Sequence, residues 1–265
     1  VEQPSMQEQE HRIATQHGQL YARSWTPAGE AGAPIILFHD SLGCVALWRD
    51  FPAALAARTG RKVIAYDRFG FGQSAPHPGG WSIHFIRDEA RLYFPLLRSA
   101  LAIGRFVAFG YSVGGGIAVQ CAAMYAGACE ALVTMSAQAW VDQGITDGVR
   151  QAQAAFADAG QLERLARYHG AQAHWVLHAW IDTWLSAEFS AWRIGQDADG
   201  IRCPMLVIHG DCDEYGSLEH PRHIASLSSA GGEVLILPGC HHMPQREYPE
   251  LVLAAVQRFL RDQAK

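Results

Sequence analysis

The sequence is poor in lysine and in charge generally. Only Lys62 and Lys265 stand beside 19 arginines, and charged residues make up 18% of the 265. The arginines are scattered and form no basic patch, and 21 basic against 26 acidic residues leave a net charge of −5. Binding of nucleic acid or anionic membrane through bulk charge is therefore excluded. No apolar run approaches the ~20 residues that span a bilayer. The six cysteines, at 44, 121, 129, 203, 212 and 240, include no C-x-x-C pair and no zinc-like spacing. They are expected to be reduced and mostly buried, because a chain of this length stabilises its core without bridges. Residues 1–14 are polar and acidic, lacking the basic and apolar regions of a signal peptide. They read as a loose lead-in, and the protein is expected to be cytoplasmic, as a monomer or homodimer.

What is present is an ordinary globular mixture, 49% hydrophobic, in a pattern of alternating strands and helices. Residues 11–26 alternate around His17 and Gly18, as two strands joined by a tight turn do. Continuous apolar runs at 34–39, 62–67, 105–110, 131–135, 204–209 and 233–237 predict strands buried on both faces. Helical spacing occupies 47–58, with Pro52 tolerable only in a first turn, and 82–102, with a kink expected at Pro95. Further helices are predicted over 114–128 and about 247–262. Such alternation implies an α/β fold with a mostly parallel sheet covered on both faces. It breaks once, between 137 and 200, where the periodicity is helical and five of the eight tryptophans fall. That segment is too long for a plain connection. It is read as a helical cap inserted into a core made of 1–136 and 201–265.

Gly110-Tyr111-Ser112-Val113-Gly114 is a G-x-S-x-G motif where a buried strand enters a glycine-rich helix. Small residues on both sides allow a turn sharp enough to expose Ser112, with a helix N-terminus beneath it to favour developing negative charge. A serine hydroxyl needs a base, and the base an orienting carboxylate. Later strand ends supply both types in the required order. The strand from Pro204 opens into Gly210-Asp211-Cys212-Asp213, and that ending at Leu237 into a loop with His241 and His242.

These motifs together resemble the α/β-hydrolase superfamily, over about residues 11–262. The resemblance implies an eight-stranded, mostly parallel sheet with helices on both faces. It implies Ser112 as nucleophile and, through G-x-x-D at Gly210 to Asp213, Asp213 as the acid, with Asp211 shaping the turn. The family's Gly-His before its last helix falls on His241-His242. His242 is the implied base, because the following Met-Pro-Gln-Arg-Glu matches the family's run after its histidine. The oxyanion donors implied are the N–H groups of Val113 and, from the His39-Asp40-Ser41 loop, Ser41. Asp40 replaces the usual glycine there and is expected to point away from the site. His39 is expected to be structural. The serine sets the chain apart from the branches that carry Asp at the elbow, the haloalkane dehalogenases and epoxide hydrolases.

The implied activity is cofactor-independent hydrolysis of a small carboxylic ester or lactone. A C–C hydrolase of a ring-fission diketone and a non-turnover ligand receptor are the alternatives. Asp67 to Ser74 resembles the family's D-x-x-G-x-G-x-S loop. Its Gly70-x-Gly72-x-x-Ala75 also matches a dinucleotide fingerprint, but Pro76, Pro78, Gly79 and Gly80 follow where a phosphate-binding helix should open. His174 and His178, one helical turn apart, lack the glutamate and third ligand of a metal site, and no metal is expected. Trp140, Trp180 and Trp184 are the expected aromatic walls of the substrate pocket.

Overall fold

The structure is a computed structural model that describes residues 6–79, 82–195 and 200–263. The first residues of the expected lead-in, Gly80, the last part of the expected helical insertion and Lys265 lie outside the described residues.

Eight strands make one sheet: β1 (Met6–Thr15), β2 (Gly18–Pro27), β3 (Ile35–Phe38), β4 (Val63–Tyr66), β5 (Phe106–Tyr111), β6 (Cys129–Met135), β7 (Met205–Gly210) and β8 (Gly232–Leu237). Their order is β1-β2-β4-β3-β5-β6-β7-β8. Only β2 runs against its neighbours, and every pairing from β4 to β8 is parallel. This is the fold class expected from the alternating pattern. The central strands are apolar throughout because both faces are covered. Ile35, Leu37, Val107 and Phe109 enter one core, whereas Ile36, Phe38, Phe106 and Ala108 enter the other. Each such side chain, fully buried, contributes about 1.5–3 kcal/mol.

The first core is closed by α1 (Phe51–Thr59), whose Pro52 sits in its first turn, and by the C-terminal helix Pro249–Asp262. Across the sheet, the stretch expected as one kinked helix is three pieces: α2 (Phe85–Asp88), a π turn over Glu89–Tyr93, and α3 (Phe94–Ala100). Pro95 has no N–H to continue the ladder, and the wider turn before it absorbs the break. Beside them lies α4 (Val113–Met124).

The lead-in requires correction where it is described. Residues from Met6 onward pair with β2 over its whole length, Met6 opposite Pro27 and Thr15 opposite Gly18. Backbone bonds make this strand, while its exposed side chains carry no apolar signal.

Residues 137–195 hold α5 (Gln143–Ala155), α6 (Ala159–His169) and α7 (Ala173–Trp184). Asp142 and Asp158 cap the first two, accepting the N–H groups of Ile145 and Gly160 at 3.0 Å each. The two ends of the segment meet: Trp140 bridges Arg193, and the Ile194 N–H donates to the Ala139 carbonyl at 2.7 Å. After β7 come α8 (Glu219–Ala225) and, after β8, α9 (Pro244–Glu247), which leads into α10 (Pro249–Asp262). No helix among the described residues is long and apolar enough to cross a membrane.

Candidate active site

Ser112 lies between β5 and α4 with φ 55° and ψ −125°, a left-handed backbone that a non-glycine residue adopts only under constraint. The glycines around it are spatial necessities. A Cβ on Gly110 would meet the Gly114 carbonyl oxygen at 2.0 Å, and one on Gly114 would meet the Phe38 carbonyl oxygen at 2.1 Å. The Ser112 N–H donates to the Met135 carbonyl at 2.8 Å, tying the turn to the neighbouring strand.

The loops after β7 and β8 bring up the other two groups. Gly210 lets them touch, since a Cβ there would lie 2.1 Å from the Cys240 carbonyl oxygen. Asp211 accepts the Gly239 N–H at 2.7 Å, and the Cys212 N–H donates to the Cys240 carbonyl at 3.0 Å. Asp213 thereby faces His242, whose Nδ1–H donates to its carboxylate at 2.8 and 2.9 Å. The other ring nitrogen, Nε2, accepts the Ser112 hydroxyl at 3.0 Å. Burial works against charge on Asp213, but His242, His209 and the Tyr215 N–H outweigh it and hold the carboxyl below the ordinary carboxylate range. Burial likewise disfavours the His242 imidazolium, yet Asp213, with Asp40 and Glu214 behind it, raises the imidazole above its ordinary 6.5. A hydroxyl, an imidazole and a carboxylate in this sequence can move a proton off the oxygen as it attacks an electrophilic carbon.

Above Ser112 is a cavity of about 420 Å³, bordered by His242, Asp40, Trp48, Trp180, Trp184 and Tyr215. Ile145 and Val149 from α5 and Leu165 from α6 complete its apolar wall. A much smaller space, about 10 Å³, is bordered by both Ser41 and Val113. The Ser41 loop is held from three sides. His39 donates through Nδ1 to the Asp40 carbonyl at 2.8 Å, and Arg68 donates to the same oxygen at 3.0 Å. From α6, His169 donates through Nε2 to the Leu42 carbonyl at 3.0 Å while its Nδ1 accepts the Gly72 N–H at 2.9 Å.

A family model of the alpha/beta hydrolase fold matches residues 33–178. The chain belongs to this family. No curated protein matches it. Solved structures that share the alpha/beta hydrolase fold include a serine hydrolase involved in carbazole degradation, with TM-score 0.73, 20% identity, and coverage of 96% of this chain and 99% of that one. The enol-lactonase of Burkholderia xenovorans LB400 has TM-score 0.72 and 21% identity, over 94% of this chain and 99% of its own. The proline iminopeptidase of Mycobacterium smegmatis also has TM-score 0.72 and 21% identity, over 96% and 98%. At such identities the likeness is one of fold.

On this alpha/beta hydrolase scaffold, Ser112, Asp213 and His242 meet in space, and Asp211 holds the turn between the two loops. His241 is exposed beside Glu214, its N–H donating to Glu247 at 2.9 Å. Trp180 and Trp184 line the cavity, but Trp140 does not. Its ring packs 4.5 Å from that of His220, at the closure of the helical segment. Asp40 borders the cavity, but its carboxyl group is turned back on its own loop, against Gly43 and toward the backbone N–H groups of Asp40 and Leu42. Glu247, which ends the Met-Pro-Gln-Arg-Glu run, accepts the N–H groups flanking His242, from His241 and from Met243 at 3.1 Å. A further support had no sequence signal. His209 stands 3.5 Å from Asp213 and donates through Nε2 to the Gly216 carbonyl at 3.1 Å.

Proposed function

We propose that this chain is a cofactor-independent serine hydrolase of small carboxylic esters, lactones included. The observation that carries this reading is the hydrogen-bonded series Ser112, His242 and Asp213, at 3.0 and 2.8 Å, beneath a largely apolar cavity. His242 Nε2 takes the Ser112 proton as Oγ bonds to the acyl carbon, and Asp213 stabilises the imidazolium. The N–H groups of Val113 and Ser41 hold the oxyanion. His242 then protonates the departing alkoxide. Water, deprotonated by the same imidazole, attacks the acyl-enzyme, and release of the acid returns the proton to Ser112. The helical segment serves as a cap that selects the acyl group. The serine hydrolase and enol-lactonase among the neighbours of like fold support this reading.

A fluorophosphonate probe tests it, together with turnover of p-nitrophenyl esters, lactones and ring-fission diketones. Wild type is expected to be labelled at Ser112 and to hydrolyse an ester or lactone, and Ser112→Ala to do neither. Equal labelling of Ser112→Ala and wild type would remove Ser112 from the reaction.

A further inference from the structure

Asp40 is the only acidic residue among the described residues lining the main cavity, and the reaction outlined above gives it no work. It directly precedes Ser41, and its charge lies near enough to His242 to raise that imidazole. The side chain is tucked against its own loop: a Cβ on Gly43 would fall 2.1 Å from Asp40 Oδ1, and the backbone N–H groups of Asp40 and Leu42 turn toward it. Arg68 and the His242 imidazolium favour its charge, but among the described residues neither is bonded to the carboxylate. Arg68 bonds the Asp40 carbonyl rather than the carboxylate, and it is itself faced by the buried Glu89. His242 attracts Asp40 only as imidazolium, whereas a base must be neutral to accept the serine proton.

A neutral substrate offers this carboxyl group no partner, and burial then disfavours its charge. Any charge it keeps opposes an oxyanion forming at Ser41, in a site where burial weakens screening. A positive group on the substrate would cancel that opposition as the transition state forms. The aromatic rings of Trp48, Tyr111 and Trp180 on the same cavity wall suit a cation as well.

We propose that the acyl substrate carries an ammonium group close to its scissile carbonyl, and that Asp40 is the counter-ion that selects it. The substrate class is thus an α- or β-amino acyl ester. This inference rests on the serine hydrolase reading for the position of the carbonyl. Burial also hinders ionisation of Asp40 in the empty site, raising its pKa above 3.8; pairing with an ammonium reverses that effect.

Phenylalanine methyl ester and methyl 3-phenylpropanoate differ by the ammonium group alone, and Asp40→Asn removes the carboxylate with little change of shape. With the amine protonated, wild type is expected to favour the amino ester in kcat/KM by roughly tenfold or more, as a charge-assisted bond does. Asp40→Asn should slow the amino ester and speed the neutral one, so the preference collapses. Asp40→Gly, which restores the glycine of the family's pattern, should do the same and serves if the amide variant is unstable. Equal turnover of both esters by wild type, or equal loss on both in the variants, would overturn the proposal and leave Asp40 a loop-holding residue. Binding is read separately, from the shift in melting temperature given by phenylalaninamide and by 3-phenylpropanamide. A chain that hydrolyses neither ester but is stabilised by the cationic amide only while Asp40 is present keeps this inference and loses the hydrolase reading. Equal stabilisation by both amides sinks the inference even if esters turn over.

Discussion

His241 and His242 are adjacent in the chain, yet their chemical situations differ completely. The first is exposed beside Glu214; the second is enclosed between Asp213 and Ser112. His242→Ala is therefore expected to lower kcat by about 10⁴-fold or more, as loss of a general base does. His241→Ala should retain at least about a tenth of wild-type turnover, because only its backbone N–H contributes to the turn. The reverse result would move the base to His241. The pH profile follows from the same contacts. His242 must lose its proton to act, and its carboxylate neighbours hold that proton above pH 6.5, so kcat/KM for a neutral ester should rise with pH through an apparent pKa above that value. Asp213 dominates the effect, with Asp40 and Glu214 adding to it and burial opposing it. Asp40→Asn takes away one stabilising charge, so the acid limb should move to lower pH; a limb that stays in place would mean that Asp40 does not act on the imidazole. The side of the loop on which Asp40 stands could not be read from its position before Ser41. Sequence order gives the strand end at which a residue falls, but its direction depends on the bonds that His39, Arg68 and His169 make to the loop.

The strand-to-helix turn at Ser112 depends on close approach between β5, α4 and β3. Its small residues made it legible in the sequence, since three nearby glycines after a buried strand have few other uses. Gly114→Ala would set a methyl group 2.1 Å from the Phe38 carbonyl oxygen, which belongs to backbone and cannot swing aside. Overpacking of this kind costs typically about 1–3 kcal/mol, measurable in urea denaturation. Fluorophosphonate labelling should fall even where the variant remains folded. An unchanged midpoint and labelling rate would show that the turn tolerates more room than its geometry allows. The buried strands were legible for a related reason, because apolar side chains on both faces leave continuous runs. β1 left no such trace: its residues 7–10 are exposed, and the backbone of β2 holds them. Pro95 signalled a break in the long helix, but whether the chain kinks or widens into a π turn is decided by packing on the sheet.

In the molecule as a whole, the helices between 137 and 195 close the space above the strand ends that carry Ser112, Asp213 and His242. Their helical period and tryptophan content were evident in the sequence, but which rings face the cavity was not, because it depends on how the helices pack on the rest of the chain. Trp180 and Trp184 face it; Trp140 packs on His220 and His223 instead. These positions separate two outcomes that a sequence argument leaves joined. Trp180→Ala, at a half-buried ring bordering the cavity, should change the ranking of long against short acyl chains, since each methylene in an apolar pocket is worth about 1–3 kcal/mol. Trp184→Ala should do so as well and also cost stability, because its ring is buried against Phe189 and Trp192. Trp140→Ala should cost up to about 3–5 kcal/mol, less any part of the ring already exposed, and lower activity on all esters alike. Thermal denaturation and a series of p-nitrophenyl esters of rising chain length read both effects on the same preparations. If Trp180→Ala and Trp184→Ala preserve the ranking while Trp140→Ala changes it, the selecting surface lies at the closure of the helical segment. The cavity above Ser112 would then not be where the acyl chain is measured.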